Sequence, residues 1–200
     1  MNVLFLDFDG PLFPQRVLRF HPDNHKPYPG KLSPNRKDIR YWRMDEVAVA
    51  MLNRLYNKHQ FETVISSTWR LFCDKEYIEE LFEVNGLELK LAEDWATNNY
   101  TFRSCRRLEE VNDYVMSHSV DDCIILDDKM SGSSLHHFNQ SSEHYEELGK
   151  NPFSKLNAKN VIIVDYSVGI EEAHYWRMLD IVKRWNGEKV LDTDLFFSLC

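Results

Sequence analysis

The sequence predicts an α/β fold: a Rossmann-like three-layer sandwich with a mostly parallel central sheet and helices on both faces. Three observations lead there. Four short runs, VLFLDFD, ETVISST, DCIILDD and NVIIVDY, are apolar on consecutive positions and end in polar residues. Strands covered on both faces read this way, whereas a half-exposed strand alternates. Helical periodicity fills the gaps between the runs, and alternating strand and helix builds a parallel sheet. The chain has 200 residues, 43% hydrophobic and 13% aromatic, enough for one core of this kind. It reads as a single domain over residues 1–200, with a proline-rich, flap-like insertion at about 14–44 and a long loop at about 129–158.

Along the chain, VLFL is the first strand and runs into Asp7, Phe8, Asp9, Gly10 and Pro11. Residues 14–44 carry Pro14, Pro22, Pro27, Pro29 and Pro34, which rules out a long helix and predicts an ordered loop or small flap. A helix follows over Asp45–Lys58, with Val47, Met51, Leu52 and Leu55 on one face. After the ETVISST strand comes a helix at Lys75–Asn85, then a short extra strand around Leu87–Leu91. A helix at Arg107–Ser117 precedes the DCIILDD strand, and one at Ile170–Trp185 follows the NVIIVDY strand. Residues 129–158, rich in Ser, His, Asn and Gly, read as a long loop, and loops of that length are usually functional or mobile.

Composition narrows the function classes. A formal net charge of −8 disfavours a general binder of nucleic acid or anionic membrane, and DNA is not an expected partner. No apolar run reaches the length of a membrane span. The start, MNVLFLDFDG, meets acid too soon for a signal peptide. Cys73, Cys105, Cys123 and Cys200 are scattered and form no CxxC pair, as in a reduced intracellular chain. The expected location is cytoplasmic, which leaves later export into another cell open.

In an open parallel sheet, ligands bind beyond the carboxyl ends of the strands. The four runs end in Asp7/Asp9, Ser66/Ser67/Thr68, Asp127/Asp128 and Asp165, so their polar ends converge on one edge. Residues two apart on an extended chain face the same side, which lets Asp7 and Asp9 point together. Clustered carboxylates repel unless a cation sits among them, and an oxygen-only donor set favours Mg²⁺. Hydroxyls and amides at the second strand end suit an anion. A lone DxD is a weak signal, and an acidic pair alone is most often a turn. Their conjunction with SST predicts a phosphoryl-transfer site.

LFLDFDGPLFP resembles the first motif of the haloacid dehalogenase (HAD) superfamily, VISST its second and CIILDD its fourth, in matching order and spacing. GPLFP, SSTWR and VDYSVGI more narrowly resemble small HAD-like domains found in, among others, RNA-repair proteins. Pro11 departs from the Thr or Val usual after DxDG. Arg103, Arg106 and Arg107 are all candidates for the third-motif cation, with Arg107, three residues before Glu110, the best match.

The resemblance implies a phosphatase working through an aspartyl-phosphate. Asp7 is then the nucleophile and Asp9 the general acid and later base. Asp7, the Asp9 carbonyl and Asp128 hold Mg²⁺, with Asp127 supporting them or sharing the metal. Ser66, with the amides of Ser67 and Gly10, receives the phosphoryl group, and Arg107 or Arg106 completes its charge stabilisation. Short insertions imply an open site and a phosphate on a macromolecule. Phosphotyrosine in protein is the first expectation, with Tyr28, Tyr41, Trp42 and Arg43 as an aromatic wall. An RNA-end or nucleotide phosphatase, or a non-catalytic phosphate-binding protein, is the alternative. His136, His137 and His144 show no metal-ligand spacing and read as solvated loop. Trp69 and Arg70 are candidates to frame the site, with a packing Trp69 and a surface Arg70 the equal alternative, and Trp176 and Trp185 read as core.

Overall fold

In β1 (Asn2–Leu6) every residue after the first is buried, because side chains of alternate sign along the pleat meet helices on both faces. The computed structural model describes residues 1–21, 42–97, 107–128, 156 and 158–188. Within them, β1, β2 (Glu62–Ile65), β3 (Leu91–Ala96), β4 (Asp122–Asp127) and β5 (Val161–Ile163) form one sheet of order β3-β2-β1-β4-β5. All four pairings are parallel. This is the doubly wound order, in which the chain reverses direction across the sheet between β1 and β4.

Leu4 and Leu6 of β1, Ile65 of β2 and Leu126 of β4 share one core cluster with α2 (Glu46–His59), α3 (Lys75–Asn85) and α5 (Glu172–Trp185). Val3, Phe5, Val64 and Ile125 point the other way and pack with α4 (Arg107–Ser117). The sandwich is thus three layers deep. A short α1 (Gln15–Phe20) precedes α2, and no described helix is long and apolar enough to cross a membrane.

Several sequence expectations shift. The strand expected at Leu87–Leu91 begins at Leu91. Leu87 and Leu89 are buried on the approach, but an apolar pattern reports burial, while a strand also needs a partner, and the first hydrogen bond from β2 reaches the Lys90 carbonyl. In α2 the buried face is Ala48, Val49, Leu52 and Leu55, leaving Val47 exposed. The proline-rich segment opens with a helix, because Pro14 supplies an N-cap with extended backbone and the next proline lies beyond Phe20. The two ends of that insertion are stapled: Arg16 Nη2 lies 2.5 Å from Asp45 Oδ2, and the Asp45 amide donates to Leu12 at 2.8 Å. Asp45 also caps α2. The remainder of the insertion, with Tyr28 and Tyr41, and nearly all of the loop at 129–158, with His136, His137 and His144, lie outside the described residues, as do Arg103 and Arg106.

Candidate active site

Asp7 is the first residue past β1. Its amide still donates to Leu126 of β4 at 2.9 Å, so the ladder delivers its side chain beside the end of β4. Asp127 closes β4 and Asp128 follows. The carboxylates of Asp7, Asp127 and Asp128 offer ligand atoms that all lie within 4.8 Å of one another, Asp7 and Asp127 being buried. The cluster sits where the chain changes direction across the sheet.

Gly10 makes this approach possible. Its φ is +92°, and a Cβ built there would overlap the Asp128 side chain. A larger residue would meet both backbone strain and the acid itself.

Arg107, at the start of α4, reaches across to the acids. Its Nη1 lies 2.8 Å from Asp127 Oδ2 and 3.0 Å from Asp7 Oδ2. Burial works against its charge, but Asp7 and then Asp127 more than offset that, and its pKa is raised. Three carboxylates against this cation leave an excess of negative charge in a dry place. Such an excess suits a hard divalent cation with oxygen donors, so the residues present fit a metal of the Mg²⁺ type.

The Asp9 carboxylate is not part of that trio. Asp9 is buried and accepts from the Trp69 indole Nε1 at 3.3 Å. Trp69 is itself fixed by rings: it stacks on Phe13 at 5.0 Å and 8°, and meets Phe8 and Trp42 edge-on. Trp42 is 2% exposed within that cluster, so it is core and not a wall for a substrate, contrary to the sequence expectation. Arg43 donates instead to the Val84 carbonyl at 2.8 Å.

Ser66 follows β2, and its amide bonds to Leu6 of β1 at 3.0 Å. Its Oγ is buried with no hydrogen-bond partner among the described residues, which leaves a hydroxyl available to a ligand. The Ser67 hydroxyl caps the 3₁₀ turn Thr68–Leu71, accepting from the Trp69 amide at 3.4 Å. Asp165, the fourth strand-end acid, is exposed and accepts from the Ser167 amide at 2.6 Å, closing its own turn. It does not join the cluster.

The sequence left Arg70 open between framing the site and lying at the surface. It is enclosed beside the Ser66–Ser67 turn and paired with Glu110 of α4, a partner that sequence reasoning missed. The signal lay in the helix spacing, since Glu110 is one turn after Arg107 and therefore shares its face. Trp176 departs the other way, exposed on α5 with its indole donating to Glu172 at 3.0 Å, while Trp185 packs partly buried against the core.

The parallel sheet of the described residues, with acids beyond the two strands that flank its reversal, is a doubly wound α/β domain of the kind the HAD superfamily uses. More narrowly, the chain belongs to the family described as the HAD domain in Swiss Army Knife RNA repair proteins, whose model matches residues 3–175. No curated protein and no solved structure matches it.

Proposed function

We propose that the protein is a Mg²⁺-dependent phosphatase acting through an aspartyl-phosphate on Asp7. The observation behind this reading is the convergence of Asp7, Asp127 and Asp128 with Arg107 between them. Asp7, Asp127 and Asp128 would hold the metal, together with the Asp9 carbonyl. When bound, Mg²⁺ supplies positive charge that lets an anionic phosphate approach an anionic nucleophile.

This chain's own residues do the rest. An Asp7 carboxylate oxygen attacks phosphorus as the bond to the leaving oxygen breaks, and Asp9 gives that oxygen its proton. Water then attacks the phosphoryl group, Asp9 takes the water's proton, and Asp7 is released. The Ser66 hydroxyl donates to the phosphoryl oxygens and Arg107 balances their charge.

For the substrate, the family's RNA-repair setting favours a phosphate at an RNA end. A single terminal phosphate held by a local site needs no broad basic face, so the acidic balance of the chain is compatible with it. The phosphotyrosine reading loses Trp42 from its expected aromatic wall, while Tyr28 and Tyr41 lie outside the described residues. The test is hydrolysis of p-nitrophenyl phosphate with Mg²⁺ and with EDTA, followed by 5′- and 3′-phosphorylated oligoribonucleotides, phosphotyrosyl peptides and sugar phosphates. Activity that EDTA abolishes and Mg²⁺ restores, with kcat/KM highest on an oligoribonucleotide, is the expected result. Metal-independent activity would overturn the mechanism, and a peptide or sugar phosphate in first place would overturn the substrate.

A further inference from the structure

Arg70 is committed to backbone. Its Nε donates to the Thr97 carbonyl at 3.0 Å, and its Nη1 donates to the carbonyls of Ser66 at 2.9 Å and Ser67 at 2.5 Å. Its Nη2 donates to Glu110 Oε2 at 2.5 Å. Four of the five N–H groups of a guanidinium are thereby used. Arg107, by contrast, meets the carboxylates of Asp7 and Asp127, at the cluster itself. Arg70 is built to hold the chain, and Arg107 to meet charge.

Both side chains of the Arg70–Glu110 pair are 5% exposed. Burial lowers the pKa of Arg70 and raises that of Glu110, in each case outweighing the attraction between them. A pair of this kind adds little to fold stability, because desolvation consumes the Coulombic gain. Its consequence lies in what it holds. A trans peptide sets its C=O and N–H in opposite directions. With the carbonyls of Ser66 and Ser67 drawn to Arg70, the amides of Ser67 and Thr68 are turned the other way. The Ser66 Oγ, buried and without a partner among the described residues, marks the same turn as the place for a ligand.

We propose that Arg70 and Glu110 are a positioning pair: Arg70 fixes the Ser66–Ser67 turn for the phosphoryl group, and Glu110 ties that turn to the helix carrying Arg107. The inference rests on the phosphatase reading. Neither residue touches the substrate. Together they set the distance between the two halves of the anion cradle, one from β2 and one from α4.

The test compares wild type, Arg70→Lys, Glu110→Gln and the double variant in p-nitrophenyl phosphate hydrolysis with Mg²⁺. Thermal melting with and without inorganic phosphate and Mg²⁺ is recorded for each. Lysine keeps the charge but not the fork, and glutamine keeps the shape but not the charge. Each single variant should lose roughly tenfold to a hundredfold in kcat, the scale of a misplaced site, with a much smaller change in KM. The double variant should be no worse than the poorer single one, since both act on one contact. Melting without phosphate should fall for Glu110→Gln, which leaves the buried Arg70 charge without its partner, so kinetics are read well below each variant's melting temperature. Folded variants with wild-type kcat, or additive losses in the double variant, would overturn the pairing. If Arg70→Lys fails to fold, Glu110→Gln decides by the same criteria, and if both fail the pair is structural and the inference falls. If wild type is inactive, the phosphatase reading falls separately. Stabilisation by phosphate that is present in wild type and lost in both variants would then still support the pair, and its persistence or general absence would overturn it.

Discussion

The carboxyl and amino edges of the sheet carry the same kinds of side chain in opposite states. At the amino edge the Met1 ammonium lies 2.6 Å from Asp121, whose side chain is 80% exposed. His118 Nε2 lies 2.8 Å from Asp94, which is 74% exposed, and Lys90 lies 3.9 Å from Glu62. A cleft of about 800 Å³ opens among these residues. At the carboxyl edge Asp7 and Asp127 are buried beside a half-buried Asp128, the three outnumber the cation they meet, and they stand near a buried hydroxyl with no partner among the described residues. The difference teaches that concavity and charge do not make a site by themselves. Water already solvates the amino-edge pairs, so they hold little energy for a ligand to use. The carboxyl edge instead concentrates three acids around one cation, the feature on which the proposed site rests.

The largest expected effect separates the two edges directly. Asp7→Asn should cut phosphatase kcat by roughly ten-thousand-fold or more, because it removes the attacking charge while keeping the shape. Its melting temperature should hold or rise, since one of three crowded acids becomes neutral. Asp121→Asn, the same change at the amino edge, should leave kcat within about twofold of wild type. Steady-state kinetics and melting of the two variants check this, and substantial turnover by the Asp7 variant would sink the covalent mechanism.

An intermediate effect concerns how Asp9, the proposed general acid, is held. Trp69→Phe keeps the ring that stacks on Phe13 but removes the N–H that meets Asp9. A lost hydrogen bond to a carboxylate is worth about 1.5–3 kcal/mol, or upward of about tenfold in rate if it is used in the transition state. The loss should be greater on an alkyl phosphate, which needs its leaving oxygen protonated, than on p-nitrophenyl phosphate. Equal losses on both would mean that Trp69 only packs.

The smallest effect belongs to the amino edge. The hydrogen bond to Asp94 raises the pKa of His118, with burial opposing and the Tyr114 carbonyl and the charge of Asp94 adding. A raised histidine pKa contributes stability that is full below its unfolded value of about 6.5 and is lost as pH rises through the folded value. His118→Ala should therefore destabilise more at pH 5.5 than at pH 9. The pair is exposed, so the pH-dependent part should not exceed about 1 kcal/mol. The stacking of His118 on Tyr114, with ring centres 3.9 Å apart, is lost equally at both pH values. Chemical denaturation at the two pH values checks the difference, and a larger cost at pH 9 would contradict it. Phosphatase activity should be unaffected.

Much of the fold was legible because burial on both faces leaves a direct mark on the chain. The runs ending at Asp7, Ser66 and Asp127 are β1, β2 and β4, in the register that brings their ends together. The helices Lys75–Asn85 and Arg107–Ser117 also stand where periodicity put them. Trp42 and Trp176 were not legible, and Arg70 was left open between the site and the surface. Each has a composition that suits either core or surface, and only its neighbours decide. Trp42 is enclosed by Phe13 and Trp69, and Arg70 by three carbonyls and Glu110, and all but the Ser66 and Ser67 carbonyls of those partners lie far from it in sequence.

The sequence by itself determined the strand runs, their order along the chain and the residue types at their ends, because these follow from local patterns of burial and from spacing along an extended backbone. Only the tertiary structure decided which strand ends meet. Asp127 and Asp128 join Asp7 because β4 pairs with β1, whereas Asp165, an equally good strand-end acid on paper, turns back on Ser167 at the exposed end of β5. It also decided that Arg107 faces the acids while Arg70 faces carbonyls. The physical reason is that a guanidinium's partner is set by where other elements put their polar atoms, and that information is spread over β1, β2, α4 and β4 at once.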